Sequence, residues 1–148
     1  MGQTQDYKLP YPEFQDFAKV PSDIKALAEA TETAIKGSEW IDLPLAEGVV
    51  SYSDALKPQY RVIGRIVYLS GVITNILAAN TALANMPVEL RPKKQQYFIF
   101  GSATVSGIGA TNYNAQISTS GIILANSHST NTYNTNYFAR LLGYYFLD

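Results

Sequence analysis

Residues 59–73 read QYRVIGRIVYLSGVI, two β-rich runs, Tyr60–Ile63 and Ile66–Ile73, on either side of Gly64 and Arg65. Val, Ile and Tyr suit a pleated surface. A Gly-X pair between two such runs is the signature of a two-residue type II′ turn. The spacing therefore predicts a β-hairpin with positive φ at Gly64. Working outward, strands are expected near 40–44, 48–53, 59–63, 66–75, 95–106, 112–118, 121–125 and 137–146, with Ser118–Gly121 as a tight turn. Short strands separated by turn signals point to an antiparallel β-sandwich or jelly roll rather than an α/β fold. Ile76–Ala84 reads as an apolar loop or a short helix. The chain has no internal repeat.

The first forty residues differ. Leu9–Pro12 should be extended, because proline restricts itself and its predecessor. A helix is expected from Asp23 to Lys36, with Ser22 as cap, Asp23 at the positive helix start and Gly37 as terminator. Ile24, Leu27, Thr31, Ala34 and Ile35 fall near one face, and Lys25, Glu29, Glu32 and Lys36 near the other. Fifteen residues make a rod of about 22 Å, which is marginal alone. Its stripe either packs on the chain's own β domain or self-associates about a three-fold axis. The expected division is residues 1–38 as an N-terminal attachment segment and helical stem, and 39–148 as a β head.

Composition narrows the function classes. The chain has 148 residues, 47% of them hydrophobic, and a net charge of −1. This fits one domain with a small appendage and gives no electrostatic reason to expect nucleic acid or an anionic membrane as partner. Without cysteine, disulfides and thiolate metal sites are excluded. No apolar run approaches membrane-spanning length. Met1–Asp6 lack the features of a signal peptide, and Asp6 breaks the myristoylation pattern that Met1-Gly2 begins; synthesis in the cytosol is expected.

The hairpin, the N-terminal helix, a Met86–Pro92 element and a closing aromatic strand from Tyr137 to Phe146 occur in an order that resembles the short tail fibres and receptor-binding proteins of bacteriophages and phage-tail-like particles. The resemblance spans Leu9 to Leu147. It implies a mainly β chain with a helical stem and a β-sandwich head, assembled as a homotrimer on the virion. It also implies that Tyr7–Pro21 attaches to other virion proteins and that the head binds a host cell-surface saccharide. The alternative is a structural virion protein, such as a head fibre, decoration or baseplate component, that binds no receptor. A cellular trimeric β-sandwich lectin is a third class, and it would normally show a secretion signal in its precursor.

One feature stands apart from any resemblance. The 45 residues from 95 to 139, between Lys94 and Arg140, contain no Asp, Glu, Lys or Arg. Surfaces usually carry about a quarter charged residues, and loss of charge with gain of Tyr marks interfaces. Asn, Ser and Tyr also suit neutral polyols, whose hydroxyls meet amides and whose apolar faces meet rings. The same composition also fits an ordinary polar β surface with polar loops. The candidate ligand-binding residues are Tyr113, Asn114, His128, Asn131, Tyr133 and Asn134, chosen by chemistry and loop placement.

Catalysis is not expected. His128 is the only histidine, and nothing beside it marks a nucleophile or an orienting acid. Glu39, Asp42, Glu47 and Asp54 read as solvated charges rather than a glycosidase pair. Gly107–Ala110 lacks the lysine and context of a nucleotide loop. Neither a cofactor nor a metal site is expected.

Overall fold

A computed structural model describes residues 2–4, 9–11, 20–104 and 111–148. The described chain is mainly antiparallel β with a single α-helix. Most of the expected attachment segment, residues 5–8 and 12–19, lies outside the described residues, as do 105–110. What is described there is a short pair, β1 (Gly2–Gln3) against β2 (Pro10–Tyr11), in line with extended backbone at Pro10.

Helix α1 runs from Val20 to Lys36. It begins before Ser22, so Ser22 lies in the first turn and is not the cap. Pro21 is tolerated there because its missing N–H would have no intrahelical partner at a helix start. Gly37, at φ 70°, ends the helix as expected. The stripe is not buried on the chain's own head: Ile24, Leu27 and Ile35 are exposed, while Thr31 and Ala34 are half-buried. The C-terminal end of the helix is fastened to the head. Arg61 donates to the Lys36 carbonyl at 2.6 Å, Ser38 N–H donates to Val62 O at 2.7 Å, and Val62 N–H returns a bond to Ser38 Oγ at 2.8 Å.

The head is two sheets around one core. The hairpin forms as expected: β5 (Gln59–Ile63) pairs with β6 (Ile66–Ser70), with Ile63 opposite Ile66. Gly64 has φ 59°, and Arg65 is not in the positive-φ region, the pattern of a type II′ turn. With β3 (Ile41–Asp42) and β13 (Gly143–Phe146) these strands make a four-stranded sheet in the order β13-β6-β5-β3. The larger sheet has seven strands: β4 (Val50–Ser51), β7 (Val72–Thr74), β12 (Tyr137–Arg140), β9 (Gln96–Thr104), β10 (Thr111–Ile117), β11 (Ile122–His128) and β8 (Thr81–Asn85), in that spatial order. Alternation places Val67 and Leu69 of the small sheet, and Phe100, Tyr113, Ala115 and Ile117 of the large sheet, in a common core. Tyr145 also sits there, with its hydroxyl donating to Leu90 O at 2.8 Å.

Three expectations are corrected. Residues 66–75 are not one strand. The run breaks at Gly71, whose φ is 110°, and the chain passes from the small sheet to the large one. A Cβ at Gly71 would lie 2.5 Å from Pro58 Cα, so only glycine fits that crossing. Residues 137–146 break in the same way after Arg140, where Leu141 N–H bonds Gly71 O at 2.8 Å. The two crossovers thus meet at one corner of the sandwich. Thirdly, part of Ile76–Ala84 is neither loop nor helix. Thr81–Asn85 is an edge strand on β11, with a register shift that buries both Leu83 and Ala84. Tertiary pairing overrides a weak local preference there.

Candidate functional site

The uncharged span folds mainly into β9, β10 and β11 at the middle of the large sheet. Phe98, Phe100 and Ser102 of β9 point inward, so Tyr97 and Ile99 point out, 71% and 69% exposed. Opposite them on β10 stand Gln116 and Asn114. The amides bond among themselves: Gln95 Nε2 donates to Gln116 Oε1 at 2.9 Å, Asn126 Nδ2 to the same oxygen at 3.2 Å, and Asn114 Nδ2 to Ser127 Oγ at 3.1 Å. The result is a neutral sheet face of amides, hydroxyls and two large exposed side chains.

The six residues chosen from sequence do not form one surface. Tyr113 is fully buried and His128 nearly so, so neither can meet a ligand from solvent; both are corrections. Their rings lie 4.6 Å apart, with the Tyr137 ring 4.8 Å from His128 on another side. His128 Nε2 meets Ser102 Oγ at 3.0 Å, and Nδ1 meets Thr130 Oγ1 at 2.9 Å. Burial holds the imidazole below its ordinary pKa and pushes the Tyr113 phenol up to about 12, because each charged form would lose its hydration. Among the described residues the Tyr113 hydroxyl has no partner of hydrogen-bonding geometry, although Ser102 lies near enough to oppose part of the upward shift. Tyr133 is half-buried, and its hydroxyl accepts from His128 N–H at 2.9 Å. It is therefore a strut under the β11–β12 loop. Asn114 and Asn131 are exposed, and Asn134 is half-buried with its Oδ1 accepting from Asn136 N–H at 2.9 Å. Among the described residues the Ser102–His128 pair has no carboxylate hydrogen-bonded to it, and tyrosine rings pack against the imidazole, which is not the arrangement of a hydrolytic triad. Among the described residues no three His, Asp or Glu side chains cluster as metal ligands, and no helix is long and apolar enough to cross a membrane.

The concave feature that sequence reasoning missed lies at the corner where the two crossovers meet. It is a cleft of about 670 Å³ lined by Tyr52, Asp54, Gly71, Phe138, Arg140 and Leu142, among others. Tyr52 is placed by its backbone N–H bonding Val72 O at 3.0 Å. Its ring is 4.9 Å from that of Phe138, and the Arg140 guanidinium lies over the Phe138 ring at 5.8 Å. On the rim, Lys57 pairs with Asp42, which also accepts from Gln59. The bond from Lys57 holds the Asp42 carboxyl below its usual range, and the reciprocal bond raises the Lys57 ammonium. One sequence signal was available: Arg140 is the only charged residue between Lys94 and Asp148.

No family model matches the chain, and no curated protein matches its sequence. Solved structures do. The receptor-binding protein gp15 of Listeria phage PSA superposes with a TM-score of 0.61 at 18% identity, covering 86% of this chain and 77% of that one. The head domain of lactococcal phage bIL170, described among the receptor-binding domains of lactococcal phages, superposes with a TM-score of 0.52 at 21% identity, covering 74% of this chain and 98% of that domain. The fold of this chain is that of phage receptor-binding proteins.

Proposed function

We propose that this chain is a receptor-binding subunit of a phage or phage-tail-like particle. In this reading it is carried on the virion and recognises a host cell-surface saccharide through its β head, without catalysis. The observation that carries the reading is the chain's own. A 45-residue stretch without formal charge builds the middle of the large sheet and turns amides, hydroxyls, Tyr97 and Ile99 outward. Such a face suits neutral polyols and subunit contacts, and it offers nothing to attract an anion over long range. The likeness to two phage receptor-binding structures supports the same reading over a structural virion role.

The working form is proposed to be a homotrimer. Ile24, Leu27 and Ile35 line one side of a 17-residue helix that the head leaves uncovered, and such a helix is stabilised by packing rather than by its own propensity. Single saccharide sites are weak, about −4 kcal/mol for a millimolar Kd. Three on one assembly, and many assemblies on one particle, raise avidity without new contacts. Light scattering should report three chains per particle. Fluorescently labelled protein should decorate cells of the propagating host, with little change when salt is raised. A stable monomer at micromolar concentration would remove the trimer. Failure to attach to those cells with the fold intact would move the assignment to a structural virion component.

A further inference from the structure

On the outer sheet face the amides bond one another, whereas in the corner cleft Asp54 and Arg140 bond neither each other nor any neighbour among the described residues. Asp54 comes from a 3-10 turn (Asp54–Leu56), Arg140 from the end of β12, and Tyr52 from the segment after β4. Among the described residues, neither the Asp54 carboxylate nor the Arg140 guanidinium forms a hydrogen bond or an ion pair. Lys57, the other cation lining the cleft, is held by Asp42, and the Asp54 carboxylate adds a weaker pull on the same ammonium. The cleft thus presents a carboxylate and a guanidinium that lack hydrogen-bonded partners among the described residues, beside a wall of two rings, and with the Lys57–Asp42 pair counted it carries no net charge. Its frame is fixed by backbone bonds, Tyr52 to Val72 and Leu141 to Gly71, with Arg140 at the end of a strand and Asp54 on the short 3-10 turn between β4 and β5. A volume of about 670 Å³ falls within the roughly 300–1,000 Å³ of ligand sites.

The chemistry of these groups names a ligand class. A carboxylate accepts protons from two hydroxyls, and a guanidinium donates in a fork to hydroxyl or ring oxygens. Aromatic rings cover an apolar C–H face. A neutral ligand meets both signs of charge in one small cleft without repulsion from either. We propose that the corner cleft is a saccharide site for a neutral pyranose unit of a surface glycan, with hydroxyls shared between Asp54 and Arg140 and an apolar face against Tyr52 and Phe138. The assignment rests on the receptor-binding reading above and locates its ligand away from the outer sheet face.

The test uses the full chain. Isotope-labelled protein is titrated with methyl glycosides of glucose, galactose, rhamnose and N-acetylglucosamine, and with glucose 1-phosphate, while amide shifts are followed. Attachment to host cells is measured for the unaltered chain, Asp54→Asn, Arg140→Gln and, on the outer face, Asn114→Ala. The replaced side chains are all exposed, and circular dichroism confirms that each variant is folded. We expect saturable shifts of residues 52–57 and 138–142 with at least one neutral glycoside, at millimolar concentration. Attachment should fall about ten-fold in each cleft variant, the loss of roughly one charged hydrogen bond per site, and fall further there than in Asn114→Ala. Stronger shifts with glucose 1-phosphate than with every neutral glycoside overturn the proposal. Attachment kept by both cleft variants but lost by Asn114→Ala overturns it too, while leaving the receptor reading intact. An unaltered chain that shows the cleft shifts yet ignores host cells supports the site and removes the receptor reading. A chain that does neither loses both.

Discussion

Two aromatic groupings in this head are made of similar residues and are used in opposite ways. The Tyr113–His128–Tyr137 cluster lies on the core side of the large sheet, with both imidazole nitrogens engaged by Ser102 and Thr130, Tyr113 and His128 buried and Tyr137 half-buried. The Tyr52–Phe138–Arg140 grouping lies at the corner between the sheets, with Tyr52 42% exposed and the guanidinium bonded to no carboxylate or carbonyl among the described residues. The difference lies in how the polar atoms are satisfied. The inner cluster closes both imidazole nitrogens within the fold and seals its remaining hydroxyl, that of Tyr113, away from solvent, while open polar groups at the surface are available to a ligand. Residue type does not separate the two cases; burial and bonding do.

Breaking the inner cluster should have the largest effect on stability. Tyr113→Ala removes a fully buried ring and leaves a cavity beside His128, a loss of about 3–5 kcal/mol. A urea unfolding midpoint well below that of the unaltered chain is the expected reading. An unchanged midpoint would mean that the cluster is not a structural element.

Gly71→Val comes next, because it strikes the frame of the corner. The positive φ alone disfavours a β-branched residue by about 1–3 kcal/mol, and the new Cβ would run into the Pro58 backbone at 2.5 Å. Both sheets should loosen together, seen as lost protection from amide exchange in 66–74 and 137–146. Loss confined to one sheet would show that the crossovers are not coupled.

The pH response should sharpen the contrast, since only the inner cluster contains a histidine. Burial lowers the His128 pKa in the folded chain, so the unfolded chain binds more protons just below the ordinary value of about 6.5. The stability that neutral His128 permits is fully present above that value. It is lost as pH falls through the folded pKa, with no further histidine contribution below it. Urea midpoints measured between pH 8 and 5 should decline toward acid, and His128→Gln should flatten that decline. A decline that survives the substitution would place its cause elsewhere.

Smallest in stability is Arg140→Gln, which should stay within about 0.5 kcal/mol, because the side chain is exposed and among the described residues its guanidinium meets a ring rather than a hydrogen-bond partner. Its effect belongs to attachment. A large loss of stability would show that Arg140 is structural and would dissolve the comparison.

The sequence by itself determined the local elements. Gly64-Arg65 between two β-rich runs specified the hairpin, its turn and its register, since all of these are properties of adjacent residues. Helix α1 and its stop at Gly37 were legible for the same reason, and so was the charge-free stretch that became the large sheet's middle. Tertiary structure alone decided which face each residue took and which sheet each strand joined. Strict alternation from Ile123 and Ala125 would turn Ser127 inward and His128 out to solvent. A bulge opposite Asn114 and Ala115 inserts Asn126 as an extra residue, so Ser127 pairs outward with Asn114 and His128 turns into the core beside Tyr113. The breaks after Ser70 and Arg140, and the pairing that makes Thr81–Asn85 a strand, depend equally on contacts distant in sequence. They arise because the chain must cover both sheets with one core, a condition that no single run of residues carries within itself.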